Sequence, residues 1–279
     1  MSVTVHRLTE DGRHSEFRIP NSELRYDPPV ALKKRLDVLL TESGLAPSRA
    51  RAQALILARK VRVNNEVVSK AGTQVETEAL IEVEAPDHPY VSRGALKLAA
   101  ALDRFAISPA GLDCLDVGAS TGGFTDVLLD RGARRVIALD VGRGQLDWRL
   151  RTDDRVVVME GVNARHLEEG ALPFAADLAV VDVSFISLRL VVPALLPHLV
   201  PAAVLVCLVK PQFEAGRHEV GKGGIVRDEA IRRRTIDDTV RAVQGLGLEL
   251  VGIVPSPIRG QKGNLEELAV FQMPTAESK

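Results

Sequence analysis

Four charged side chains, Lys97, Asp182, Lys210 and Glu266, stand where reacting groups belong in an open α/β sheet. Asp182 closes the apolar run Ala179-Val180-Val181 and Lys210 closes Val204–Val209, so both should face the crevice at the carboxyl ends of parallel strands. Lys97 lies on a helix that precedes the first of these strands, and Glu266 opens the last one after the turn-prone segment 260–264. Two lysines and two carboxylates converging beside an activated methyl group would suit methylation of a ribose 2′-hydroxyl. A hydroxyl is a weak nucleophile and must lose its proton as it attacks. Lys210 could take that proton if it were neutral, which burial or a neighbouring cation such as Lys97 would favour. Alternatively, Asp182 keeps Lys210 charged and the ammonium stabilises the developing alkoxide. The residue types leave both roles open, and any one of the four could equally be half of a salt bridge at the edge of the core.

The methyl donor would sit at Leu115-Asp116-Val117-Gly118-Ala119-Ser120-Thr121-Gly122-Gly123-Phe124, a buried strand breaking into a glycine turn that opens a helix. Gly118 lets the chain turn without a Cβ, and Gly122 and Gly123 are expected to let a ligand approach the backbone. The spacing is Gly-x-x-x-Gly-Gly, not the Gly-x-Gly-x-x-Gly that grips a pyrophosphate, which disfavours a dinucleotide. About 20 residues on, Ala138-Leu139-Asp140 ends a second apolar strand with an acid able to accept from ribose hydroxyls. An adenosyl cofactor, S-adenosylmethionine, is the expected ligand.

Those residues need a sheet to hold them. Strand candidates are Cys114–Val117, Val136–Asp140, Val156–Glu160, Leu178–Val183, Val204–Val209, Glu249–Pro255 and Glu267–Phe271, with helix-length segments between most of them. Such alternation predicts a doubly wound, mainly parallel seven-stranded sheet. Two segments after strand ends, Asp182–Ser187 and Lys210–Glu214, carry Phe185 and Phe213, either of which could stack on a flipped base or pack as a lid. The segment 216–224, with Lys222, reads as a mobile loop that could close over substrate or, equally, as a disordered surface loop.

The chain has 279 residues, 46% of them hydrophobic, enough for one good core and a smaller satellite. Two cysteines, Cys114 and Cys207, both in apolar runs, argue against a disulfide framework, and no Cys/His cluster has metal-ligand spacing. The start turns polar at once, and the longest apolar stretch, 190–209, is broken by Pro193, Pro197, His198 and Pro201. A cytoplasmic protein without metal or membrane span is therefore expected.

With a net charge of −1, nucleic-acid binding must rest on a local patch. Between Lys33 and Lys70 nine basic residues face three acidic ones. Leu36, Leu39 and Leu40 give one helical face, Ser48 reads as the N-cap of a second helix, and short alternating runs at 61–63, 66–68 and 79–83 suggest a small sheet. Arg49 and Arg51 near a helix start, beside Lys60 and Arg62, would make a surface for phosphates, unless they are simply a solvated face. The expected organisation is an N-terminal arm or short hairpin (1–31), a small α+β unit (32–86), a linker (87–92), the α/β domain (93–273) and a tail (274–279).

Lys34-Arg35-Leu36-Asp37, Ser48-Arg49 and Lys60-Val61-Arg62-Val63-Asn64 resemble an S4 RNA-binding domain, with Ala58-Arg59 where S4 domains usually carry a glycine. Residues 92–98, 115–124, 182–188, 210–214 and 263–266 resemble the TlyA family, ribosomal RNA cytidine 2′-O-methyltransferases related to FtsJ-type enzymes. The resemblance covers about residues 33 to 272. It implies a Rossmann-like class I methyltransferase fold, a catalytic tetrad of Lys97, Asp182, Lys210 and Glu266, and RNA contacts from Lys34, Arg35, Arg49, Arg51, Lys60 and Arg62. It also implies a cofactor site of Asp116, Gly118, Ser120, Thr121, Gly122, Gly123, Phe124 and Asp140, with Asn163 near the adenine. Ribosomal RNA or ribosomal subunits are the implied partners, and the ending soon after Phe271 points to the large subunit. Two other classes remain: an RNA-binding assembly factor with a vestigial cofactor site, and the membrane-active protein that the family's haemolysin label suggests.

Overall fold

The computed structural model describes residues 4–8, 14–18, 32–46, 48–84 and 88–275, which divide into two compact units at Asp87/His88. Of the arm, two strands are described, β1 (Thr4–Leu8) and β2 (His14–Arg18), paired antiparallel with Thr4 opposite Arg18. The rest of the arm, Asp87 of the expected linker and the tail from 276 lie outside the described residues.

The first unit continues with β3 (Lys33–Arg35), α1 (Leu36–Glu42), α2 (Arg49–Leu57), β4 (Val61–Val63), β5 (Glu66–Val67), β6 (Gln74–Glu76) and β7 (Ile81–Val83). Leu36, Leu39 and Leu40 bury one face of α1 against Ala52 and Ile56 of α2, with Val61 and Val75 closing the small core. Ser48 caps α2 by accepting from Arg51 N at 3.2 Å, as its position predicts. Asn64 and Asn65, both at positive φ, turn β4 into β5, a conformation Asn tolerates. Arg59 has φ +60, the left-handed conformation that the glycine common in S4 domains would adopt without strain.

The second unit runs α3 (Ala95–Arg104), β8 (Asp113–Val117), α4 (Gly123–Asp130), β9 (Arg135–Asp140), α5 (Trp148–Arg151), β10 (Val156–Glu160) and β11 (Ala176–Val181). It continues with α6 (Leu188–Leu195), β12 (Leu199–Val209), α7 (Pro211–Glu214), α8 (Glu229–Gln244), β13 (Glu249–Pro255) and β14 (Glu267–Gln272). The strands form one seven-stranded sheet in the order β10-β9-β8-β11-β12-β14-β13, parallel except that β14 runs antiparallel to its two neighbours. Alternate residues of each strand serve the two faces. Leu115 and Val117 pack with α6 and α8, while Cys114 packs with α3 and α4. All five residues of β8 are buried, as a strand covered on both faces must be. The chain leaves β8 toward β9 on one side and later returns to β11 on the other, so the crevice beyond the carboxyl ends of β8 and β11 is the topological switch point where such sheets take ligands.

Candidate active site

At that crevice a cavity of about 340 Å³ opens, within the range of small-molecule sites. Gly118 N and Ala119 N both donate to Leu139 O, tying the glycine turn to the neighbouring strand. Asp140 fixes two turns at once, accepting from Ser120 N at 2.7 Å and from Gly142 N at 2.6 Å. Each carboxylate oxygen has two acceptor sites, so one on each remains for a ribose diol. Gly118, Ser120, Asp140 and Asn163 line the cavity. Asn163 also accepts from Arg165 N at 3.1 Å, which leaves its amide nitrogen as a donor.

The other expected cofactor residues stand behind the wall. A Cβ at Gly122 would meet Leu150 Cδ1 at 2.2 Å, and one at Gly123 would meet Ser92 Oγ at 2.2 Å. These two glycines therefore admit α5 and the segment before α3 to the start of α4, and not a ligand as their spacing suggested. Phe124 is a core residue, and Thr121 is exposed beside the cavity and not among its lining residues. Val141, Gln145 and Val162 line the cavity and escaped the sequence reading, since apolar residues and a lone glutamine carry no spacing signal, while Ile186 lines it from the segment Asp182–Ser187.

Asp116 is fully buried below the turn. Thr125 Oγ1 donates to its Oδ2 at 2.6 Å, while its Oδ1 has no hydrogen-bond partner. Burial, reinforced by the nearby carboxylates of Asp182 and Asp140 and opposed by the Thr125 bond, pushes its carboxyl up to about 7. The folded protein thus holds this proton where the unfolded chain releases it near pH 4. The stability this contributes is complete below pH 4 and is lost as the pH rises through 7, on the order of 4 kcal/mol in all. Asp116→Asn keeps an acceptor for Thr125 and cannot ionise. Denaturant melts at pH 4.5, 6 and 8 should show the variant gaining steadily on the parent with rising pH, whereas parallel pH profiles would show that Asp116 titrates normally.

The four reacting candidates meet as two ion pairs. Lys210 Nζ lies 2.5 Å from Asp182 Oδ1, in an ion pair and not an aligned hydrogen bond, and donates to Ser184 Oγ at 2.9 Å. Lys97 Nζ lies 2.6 Å from Glu266 Oε2. Both lysines are only 8% exposed. Strand register brings the pairs together: Val209 is opposite Glu267, so Lys210 and Glu266 follow on adjacent strands, and Asp182 N bonds Val117 O at the end of β8. Gln212 joins the pairs, donating to Glu266 Oε1 at 3.1 Å from two residues beyond Lys210. Of the tetrad, Asp182 borders the cavity, as do Ser184 and Phe185. Phe185 has φ +65 and is 86% exposed, with Phe213 tilted against it at 5.0 Å between ring centroids, so it is no lid packed on the core.

In the first unit the basic residues divide. Asp37 is wholly buried and accepts from Arg35, Arg49 and Gln53, and these bonds, Arg35's first, hold its carboxyl well below the usual carboxylate range. Lys34 pairs with Glu42 and Lys60 with Glu84, and Arg62 donates to Asn65 O. Five of the six expected RNA contacts are thus engaged within the fold, and the sixth, Arg51, is exposed with no ion pair among the described residues. Arg35 and Arg49 remain about half exposed. The same description holds no group of three or more His, Cys, Asp or Glu side chains placed to bind a metal, and no helix long and apolar enough to cross a membrane.

A doubly wound sheet of this strand order, with an acid-bearing cavity at its switch point, is the architecture of a Rossmann-like methyltransferase, here following a small S4-type unit. The FtsJ-like methyltransferase model matches residues 90–272 and the S4 domain model residues 34–81. The chain belongs to the FtsJ-like methyltransferase family. It is 50% identical over 238 residues to the 16S/23S rRNA (cytidine-2′-O)-methyltransferase TlyA of Mycobacterium tuberculosis, covering 85% of this chain and 89% of that one. It is 42% identical to Hemolysin A of Brachyspira hyodysenteriae, covering 85% and 99%. Among solved structures, a hemolysin candidate from Streptococcus thermophilus superposes with a TM-score of 0.69 at 40% identity, covering 89% and 92%.

Proposed function

We propose that this protein transfers a methyl group from S-adenosylmethionine to the ribose 2′-hydroxyl of a cytidine in ribosomal RNA, with large-subunit RNA as the substrate, in the cytoplasm where ribosomes reside. The observation that carries this reading is the pair of buried lysine–carboxylate contacts beside the switch-point cavity. The cavity fits the cofactor chemically: Asp140 has acceptor sites free for the ribose, Val141, Val162 and Ile186 offer apolar walls, and the carboxylates of Asp140 and Asp182 favour a cation. Bound there, S-adenosylmethionine supplies an electrophilic methyl group on a positively charged sulfur.

Lys210 meets the hydroxyl. With its Nζ fixed by Asp182 and Ser184, it takes the proton or holds the negative charge that develops on oxygen. Glu266 anchors Lys97, and Gln212 keeps this second pair in register with the first. Phe185, exposed at the cavity's edge, offers a face on which a flipped base could stack. The 50% identity to a relative named for both 16S and 23S RNA favours a second reading in which the small subunit is also a substrate.

Tritiated S-adenosylmethionine incubated with separated, unmodified ribosomal subunits tests the proposal. Label on cytidine ribose of large-subunit RNA is the expected result. Label on both subunits would overturn the restriction alone, and no label, from protein shown to bind the cofactor, would overturn the activity in favour of an assembly factor.

A further inference from the structure

Two loops at the rim of the catalytic unit concentrate positive charge in a chain that is nearly neutral overall. Residues 216–228 and 256–264 together hold five lysines and arginines against two acidic residues. The loops are fastened to each other: buried Asn264 donates from Nδ2 to Gly224 O at 2.9 Å and its Oδ1 accepts from Val226 N at 3.3 Å. Gly221 and Ile225 close the first loop with an antiparallel bridge, and Arg234 ties it to α8 through Glu219. These bonds make it a built surface.

The second loop folds over the catalytic pair. Gly260 N donates to Asn264 O at 2.9 Å, and a Cβ on Gly260 would meet Glu266 Oε1 at 2.0 Å. A Cβ on Gly224 would lie 3.8 Å from Lys262 Nζ, so that ammonium reaches across to the first loop. Lys222, Arg227 and Lys262 are exposed, and no ion pair among the described residues engages them. Cations held without an ion-pair partner attract a chain of phosphodiesters, whose binding releases the counterions it carried.

We propose that Lys222, Arg227 and Lys262 form a phosphate-binding rim on the catalytic unit, which holds the RNA backbone flanking the nucleotide to be modified, independently of the S4-type unit. This rests on the RNA methyltransferase reading above. Because Asn264 and Gly260 join the rim to the Glu266 segment, RNA held there is delivered to the reacting groups by the fold itself.

The test is the triple variant Lys222→Ala/Arg227→Ala/Lys262→Ala in the full chain, assayed for binding to a large-subunit RNA transcript across a salt series. Affinity at low salt should fall by about ten- to a hundredfold, and the slope of log K against log salt should become shallower by about 2. S-adenosylmethionine affinity and thermal midpoint should not move, and Lys222→Arg/Lys262→Arg should bind as the parent does. Parental affinity and slope in the triple variant overturn the rim while leaving the methyltransferase reading intact. Unchanged RNA binding with lost binding to polyglutamate would reassign the surface to an acidic protein partner. A parent chain that binds no ribosomal RNA would overturn both.

Discussion

Lys210→Met should lower methyl transfer by at least about a thousandfold while cofactor affinity stays within about threefold of the parent. Methionine preserves the aliphatic stem that packs at this 8% exposed position and removes only the nitrogen that meets Asp182 and Ser184. Asp182, whose side chain is 22% exposed, keeps access to water once its partner is gone, so the fold should survive. Single-turnover transfer to subunit RNA, with cofactor binding measured separately, gives the answer, and residual activity within tenfold of the parent would make Lys210 a bystander. Lys210→Arg then divides the two roles that the residue types left open. Arginine keeps the positive charge but cannot shed a proton in a protein. Substantial activity in that variant means that the ammonium stabilises the alkoxide, and activity as low as in Lys210→Met means that Lys210 accepts the proton.

What could be read in the sequence was direction along strands, and what could not was the identity of partners across the fold. Apolar runs ending in Asp140, Asp182 and Lys210 mark strand ends whatever else surrounds them, because a parallel strand buried on both faces must be apolar until it reaches the crevice. Asp182 and Lys210 were legible as strand ends for this reason, whereas Lys97, on α3, and Glu266, just ahead of β14, end no such run. Gly122 and Gly123 were legible as glycines but not in purpose: space left by a missing Cβ can admit a ligand or a neighbouring element, and only the packing of Leu150 and Ser92 decides. The basic run of the first unit was likewise legible in its charge but not in its partners. Its positive charge is real, yet Asp37, one acid among many in the sequence, turns out to be the buried hub that gathers Arg35 and Arg49 and ties the starts of α1 and α2 together. Gln212 shows the remaining limit, since nothing near it in the chain reveals that Glu266, 54 residues on, is its partner.

Gly118→Ala should abolish cofactor binding and catalysis together, and so separate loss of the site's shape from loss of its chemistry. Gly118 turns the chain out of β8 at φ +86, and an added Cβ would lie 2.4 Å from Asp182 O and 2.9 Å from Asp182 C. Both are backbone atoms, so no side chain can swing aside. Either the end of β8 or the segment bearing Asp182, Ser184 and Phe185 must move, and these are opposite walls of one cavity. Positive φ alone costs an alanine about 1 kcal/mol, and the forced displacement adds an estimated 1–3 kcal/mol. Gly132 supplies the control: its φ is also +86, but a Cβ there meets only Ala110, at an ordinary 3.5 Å. Gly132→Ala should therefore pay the conformational cost, melt slightly early and remain fully active. If Gly118→Ala instead binds S-adenosylmethionine as well as Gly132→Ala does, the crevice between β8 and Asp182 does not hold the cofactor. If both variants lose activity equally, backbone strain and not the contact with Asp182 is what the glycine relieves.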